Sequence, residues 1–136
     1  MDISRIKEFA DKDQFAQMTG AVIENISEDE IVCALDLGPS HLNAGGTVQG
    51  GAVFTLADFA FALACNADDL IADNDAISIS QSSHIVFFRP AKGSRLIAKT
   101  TCLQKGRKIS VYRITVTDNS GQTVAEMIGN AYRVVR

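Results

Sequence analysis

Apolar positions along this chain change period three times. Residues 3 to 16 place Ile3, Ile6, Phe9 and Ala10 at helical spacing, which predicts a short amphipathic helix lying over the end of a core. Two strand-like runs follow, "GAVIENI" and "EIVCALDL", separated by "SEDE", and they read as a hairpin. From Gly51 to Cys65 the residues are mostly Ala, Leu and Phe rather than β-branched, and the run outlasts an ordinary strand, so a helix is predicted there. Because it is apolar on nearly every side, it must be buried on nearly every side. Beyond "NADDLIADND" come Ala76 to Phe88, Ser94 to Gln104, Lys108 to Thr117 and Thr123 to Val135, all strand-like. "RPAKG" and "KGR" punctuate them as turns, and "DNSG" as a hairpin connection, which predicts four consecutive antiparallel strands. The fold class is therefore α+β: one long central helix wrapped by a curved antiparallel sheet.

Composition narrows this picture. The 136 residues are 46% hydrophobic and 21% charged, with no repeat or linker, which suits a single domain spanning 1–136. Cys33, Cys65 and Cys102 are odd in number and widely spaced among apolar neighbours, so neither a disulfide framework nor a metal site is expected. The opening "MDISRIKEFADKD" mixes acids and bases without an apolar run, unlike a secretory signal. The longest apolar run is interrupted by Asp58 and falls short of the roughly 20 residues that span a bilayer. The expectation is a soluble, cytoplasmic protein with no membrane partner.

Charge is distributed unevenly. Residues 1 to 88 carry 3 bases and 14 acids, whereas 89 to 136 carry 10 bases and 2 acids. A cationic C-terminal third suits an anionic partner, although solvated lysines on strands give the same pattern. The acidic overall balance and the lack of a recognisable motif argue against nucleic acid.

The candidate chemistry lies in "HLNAGGTVQGGAVFTLAD", residues 41 to 58. A helix opening at Gly50-Gly51 leaves unpaired amides at its positive end, where an anion or a developing oxyanion is favoured, although a glycine pair also serves tight packing alone. Asp58 is the only charge in the apolar run. It lies seven residues beyond Gly51, which is nearly two full turns and a rise of about 10 Å. That is too far to serve its own helix N-terminus. A two-fold axis that sets two such helices antiparallel would bring Asp58 of one chain to the glycine amides of the other.

The same stretch resembles the H-x-N-x-x-G-x-x-H-G-G-x-x-x-x-L-x-D motif of hotdog-fold acyl-CoA thioesterases of the phenylacetic-acid-degradation type. His41, Asn43, Gly46, Gly50, Gly51, Leu56 and Asp58 match, and "FFRPAKG" and "KGRKISVYRITVTDNSGQTVAEMIGNAYRV" extend the similarity from about residue 15 onward. Gln49 stands where many relatives have histidine. The resemblance implies dimers joined sheet edge to sheet edge, or dimers of dimers, hydrolysing a thioester at the interface. It assigns carbonyl polarisation to the Gly50 N–H, substrate or water positioning to Asn43, and the role of general base or nucleophile to Asp58. Gln49 joins these as part of the catalytic set, and Ser80 is the best match for a strand residue that orients water.

Ser82, two residues on, is expected to share Ser80's face, and both serines suit a dimer interface equally. His41, Gly51 and Ser82 are candidate substrate contacts, with a structural hydrogen bond the alternative for His41. Arg89, Lys92, Lys105, Gly106, Arg107 and Lys108 sit at two turns, where they would meet the phosphates of coenzyme A, which is part of the substrate and not a cofactor. Besides hydrolysis, two other readings stay open: a non-catalytic acyl-CoA-binding or regulatory module, and a dehydratase or hydratase, for which the motif lacks a histidine acid/base pair.

Overall fold

The computed structural model describes all residues from 1 to 136. The helix expected at 3–16 is two helices, α1 (Ser4–Asp11) and α2 (Gln14–Thr19). The break is made by Asp13, whose carboxylate accepts from the Ala16 N–H at 3.0 Å and caps α2. The expected hairpin forms as β1 (Val22–Ile26) paired antiparallel with β2 (Ile31–Asp36).

The central helix, α3 (Gly50–Ala72), runs 23 residues and continues well past Cys65. Asn66, Leu70 and Ile71 prolong its packed sides, Asp68 turns outward and Asp69 pairs with Arg133, so "NADDLIA" is its last two turns and not a loop. Asp73, at φ 57°, ends it in the left-handed region. With a mean hydropathy of 1.4 it could pass for a membrane span, yet more than half of that stretch is buried against the rest of the chain.

Four long strands follow, β3 (Ala76–Phe87), β4 (Arg95–Lys105), β5 (Ile109–Thr117) and β6 (Thr123–Val135), close to their expected bounds. They do not lie in chain order. The six-stranded sheet runs β1-β2-β4-β5-β6-β3, all antiparallel, so β3 pairs with β6 at the far edge and not with β4. "RPAKG" is therefore part of a crossover, not a hairpin turn. Residues 88–94 pass over the turn between β5 and β6 and are tied down there. Asp118 accepts from the Lys92 N–H at 2.8 Å, and Asn119 accepts from the amides of Ser94 and Arg95, each at 2.7 Å. Adjacency of consecutive strands is only a tendency, and here specific side chains override it.

The sheet wraps α3 as expected. Phe61, Leu56 and Leu63 of the helix meet Leu35, Leu96, Ile114, Val116 and Met127 of the sheet in one buried cluster. Gly129 of β6 is required there, because a Cβ at that position would lie 2.9 Å from the Phe61 ring.

Candidate active site at the start of the central helix

The loop leading into α3 is built by its own polar side chains. His41 uses both ring nitrogens: Nδ1 accepts from the Gly38 N–H at 2.9 Å, and Nε2 lies 2.7 Å from the Thr19 carbonyl, to which it must donate. The neutral ring is a strut between the loop and the end of α2, so the expected substrate contact is replaced by the structural bond. Asn43 is similarly engaged. Its Oδ1 accepts from the amides of Gly45 and Thr47 at 2.9 and 3.1 Å, and its Nδ2 donates to Thr47 Oγ1 at 2.9 Å. Asn43 thus shapes the turn that presents the helix start.

Gln49 is the N-cap of α3, its Oε1 accepting from the Gly51 N–H at 3.0 Å. The Gln49 carbonyl accepts from the amides of Ala52 and Val53. Of the amides at the helix start, the Gly50 N–H alone has no partner, and the Nε2 of Gln49 is likewise unused. Two free donors therefore stand together at the positive end of a long helix, while Gly51 N–H, expected to be available, is spent on the cap.

The Phe87 ring lies over Gly50, with ring carbons 3.3 to 3.8 Å from where a Cβ would stand. It is 50% exposed, whereas Phe59 and Phe61 are core residues. Phe87, Val48, Val53, Val124 and Arg89 line a cavity of about 400 Å³ that opens beside Gly50. The sequence could not separate this phenylalanine from the packed ones, because all of them fall in apolar runs.

Asp58 is half-buried on α3. Burial pushes its carboxyl above the ordinary range, and the negative charge of Asp13 at the α1–α2 corner adds to the effect. Eight residues separate it from Gly50, a rise of about 12 Å, so the two do not meet within one protomer. Cys65 offers no alternative nucleophile, since burial pushes its thiol up to about 12.

On β3 the serines are arranged differently from the expected alternation. Ser80 pairs with Ala131 and Ser82 with Asn130, leaving Gln81 as the extra residue of a bulge. The bulge shifts the alternation, so Ser83 and not Ser82 shares Ser80's side, and the two hydroxyl oxygens lie 3.4 Å apart. Ser82 therefore loses the placement that made it a candidate. Nothing in a run of small polar residues signals which one is the bulge.

The basic residues form two groups and not one. Arg89 stands beside Gly50, donating to the Thr123 carbonyl at 3.0 Å, and Lys92 follows on the crossover. Lys105 and Arg107 flank a pocket at the other end of α3, together with Asp68, Asp69 and Arg133. Lys105 is paired with Asp68, and Arg133 grips Asp69 through two bonds of 2.7 and 2.9 Å. Gly106 is there for the turn: a Cβ would lie 2.6 Å from the Ile109 carbonyl oxygen.

Residues 45–125, which hold the glycine pair, Asp58 and most of the sheet, match the family model of the thioesterase superfamily. A putative esterase of Deinococcus radiodurans is 36% identical over 121 residues, covering 88% of this chain and 78% of its own. The acyl-coenzyme A thioesterase PaaI of Escherichia coli is 31% identical over 125 residues, covering 91% and 85%. The solved structure of the E. coli PaaI protein, from the phenylacetic acid degradation operon, superposes with a TM-score of 0.85 at 27% identity over 96% of this chain and 91% of that one. The wrapped helix, the glycine pair at its start and these likenesses agree: the chain belongs to the thioesterase superfamily, as a hotdog-fold member of the PaaI-like type.

Proposed function

We propose that this protein hydrolyses an acyl-CoA thioester to the free acid and coenzyme A, in sites shared by two protomers. The observation that carries the reading is the pair of unused donors at the start of α3, the Gly50 N–H and Gln49 Nε2, which suit the carbonyl oxygen of a thioester as it gains charge. Relatives named as acyl-CoA thioesterases supply the substrate class.

The base comes from a second copy. β3 is an edge strand of 12 residues with Ile79, Val86 and Phe87 exposed along it, and no Asp, Glu, Lys or Arg in the stretch. Such an edge suits pairing with its own copy. A two-fold axis there runs the helices antiparallel and brings Asp58 of one protomer toward Gly50 of the other.

In one route Asp58 takes a proton from water, whose oxygen attacks the carbonyl carbon. The oxyanion rests on the Gly50 and Gln49 donors, the carbon–sulfur bond breaks, and the thiolate leaves with the proton returned by Asp58. In the other, the carboxylate attacks first and forms an anhydride, expelling the thiolate, and water then hydrolyses the anhydride. Ser80, exposed on β3 beside Ser83, orients the water in either route.

The direct test is release of free thiol from a panel of short, long and aromatic acyl-CoAs, with binding measured in parallel. Turnover of at least one member is expected. Saturable binding without turnover across the whole panel would overturn the assignment in favour of a binding module.

A further inference from the structure

Among the hydrogen bonds between α3 and the sheet, one side chain alone reaches β3. Asn66 is 2% exposed, in the last third of the helix. Its Nδ2 donates to the Ser78 carbonyl at 3.0 Å and to the Ala62 carbonyl at 2.9 Å, and its Oδ1 accepts from the Ser78 N–H at 2.8 Å. Ser78 stands opposite Arg133 of β6, yet its N–H is given to Asn66. The backbone of Ser78 is therefore turned away from β6, and the amide of Asn66 occupies the place of a neighbouring strand at that rung.

This bond does what apolar packing does not. Burial of apolar surface is non-directional, and a strand that slips by two residues keeps its buried and exposed faces. Such a slip would carry Ser80 about 7 Å along the helix. The paired donor and acceptor of Asn66 allow one register only. Ser80 follows two residues after Ser78 on the same side, so the clamp on one determines the place of the other.

We propose that Asn66 is a positioning residue, which sets the register of β3 on α3 and through it the location of Ser80 in the site. The proposal rests on the function assigned above, and it adds that a residue remote from Gly50 and touching no substrate governs the hydrolytic step.

The test is a double-substitution cycle of Asn66→Leu and Ser80→Ala, with the full-length protein assayed for acyl-CoA hydrolysis and for hydrogen exchange at the Ser78 amide. In Asn66→Leu the Ser78 amide should lose its protection and kcat should fall roughly ten- to a hundredfold, the range for small misplacement of reacting groups, with KM within about twofold. Combined with Ser80→Ala, the loss should be no greater than that of the worse single variant. A third variant, Asn66→Asp, keeps an acceptor for the Ser78 N–H and regains a donor only when protonated. Its kcat relative to wild type should recover as pH falls, whereas that of Asn66→Leu should not, and this arm stands even if the leucine variant fails to fold.

Additive losses in the cycle, a loss carried by KM, or a Ser80→Ala variant of full activity would each overturn the proposal. A wild type inert on every acyl-CoA would overturn the functional reading itself, a result told apart by requiring no variant.

Discussion

Gln49 and Gly51 are joined by one hydrogen bond, Oε1 accepting from the amide N–H at 3.0 Å, and that bond sorts the donors at the start of α3. It fixes which end of the Gln49 amide faces the helix, since the oxygen must face an N–H. The nitrogen is thereby left without a partner, on the residue that precedes the free N–H of Gly50. A neutral histidine could divide its two nitrogens in the same way, which accounts physically for glutamine at this position.

Substitution of Gln49 by glutamate separates the cap from the donor. A carboxylate still accepts from Gly51 N–H and is favoured at a helix N-terminus, so Tm should hold or rise. The outward donor becomes a negative acceptor, and kcat should fall by about a hundredfold or more, the cost of losing one oxyanion donor. Gln49→His should change kcat only modestly. Full activity in Gln49→Glu would show that the side chain is a cap and nothing else.

Asp58 links activity to stability. Its folded pKa is raised, so the folded chain holds the proton more tightly than the unfolded chain does, and ionisation at neutral pH works against folding. Asp58→Asn should raise Tm at pH 7 while abolishing turnover, and the gain should vanish below the unfolded carboxyl pKa of about 4. Asp13→Asn removes the second cause of the shift. The acid limb of its kcat/KM profile should move to lower pH, an effect absent if Asp58 does not titrate in catalysis.

The two chemical routes differ in where a solvent oxygen goes. In a single turnover in ¹⁸O water, attack by the Asp58 carboxylate followed by water at the Asp58 carbonyl of the anhydride sends an unlabelled oxygen to the product acid and leaves label on Asp58, detectable by peptide mass. Direct attack by water labels the product and leaves Asp58 unlabelled. Label on Asp58 would therefore establish the anhydride, whereas an unlabelled Asp58 leaves direct attack or an anhydride opened at its acyl carbon.

Shared sites make inactive chains complement. Asn43→Ala and Asp58→Ala should each be inactive alone, yet after subunit exchange a mixed dimer holds one site with both residues intact. With random pairing, recovery should approach about a quarter of wild type if sites act independently. Exchange demonstrated by mass labelling with no recovery would overturn the shared site and leave Asp58 acting within its own protomer or not at all.

In the proposed dimer, antiparallel helices would also bring the distant cations into play. With Asp58 of one protomer at Gly50 of the other, the turn holding Arg107 falls beyond the Gly50 end of its neighbour, on the side of Arg89. Arg89→Gln and Arg107→Gln should each raise KM for acyl-CoA more than they lower kcat, since phosphate contacts are the same in ground and transition states. A thioester of a short pantetheine-like thiol should be indifferent to both, and Lys105→Gln should matter less because Asp68 already holds that ammonium. Equal losses on both thioesters would mean that the arginines support the fold.

The sequence was most legible where one residue type answers one backbone need. Alternation placed β5 and β6 nearly to the residue, and the glycine pair marked the start of α3. It was least legible where the outcome depended on a partner far along the chain. The extension of α3 past Cys65 depends on Asp69 meeting Arg133, and the place of β3 depends on Asp118 and Asn119 holding the crossover. The site divides likewise: Gly50 and Asp58 could be picked out from spacing, whereas the switch from Ser82 to Ser83, the stacking of Phe87 and the grip of Asn66 emerge only from the bulge and the crossing strand.

The position of β3 at the sheet edge, beside β6, has a consequence for how the chain is made. β3 is synthesised well before its only partner strand within the protomer, residues 123–135, so on the ribosome its ladder must wait unpaired while two further strands emerge. Pairings between distant segments are slow to form and leave apolar surface open meanwhile. The strand that carries Ser80 and lays Phe87 over Gly50 gains its hydrogen-bonded place only when β6 arrives, so the proposed site and the proposed pairing edge would be completed in the same event.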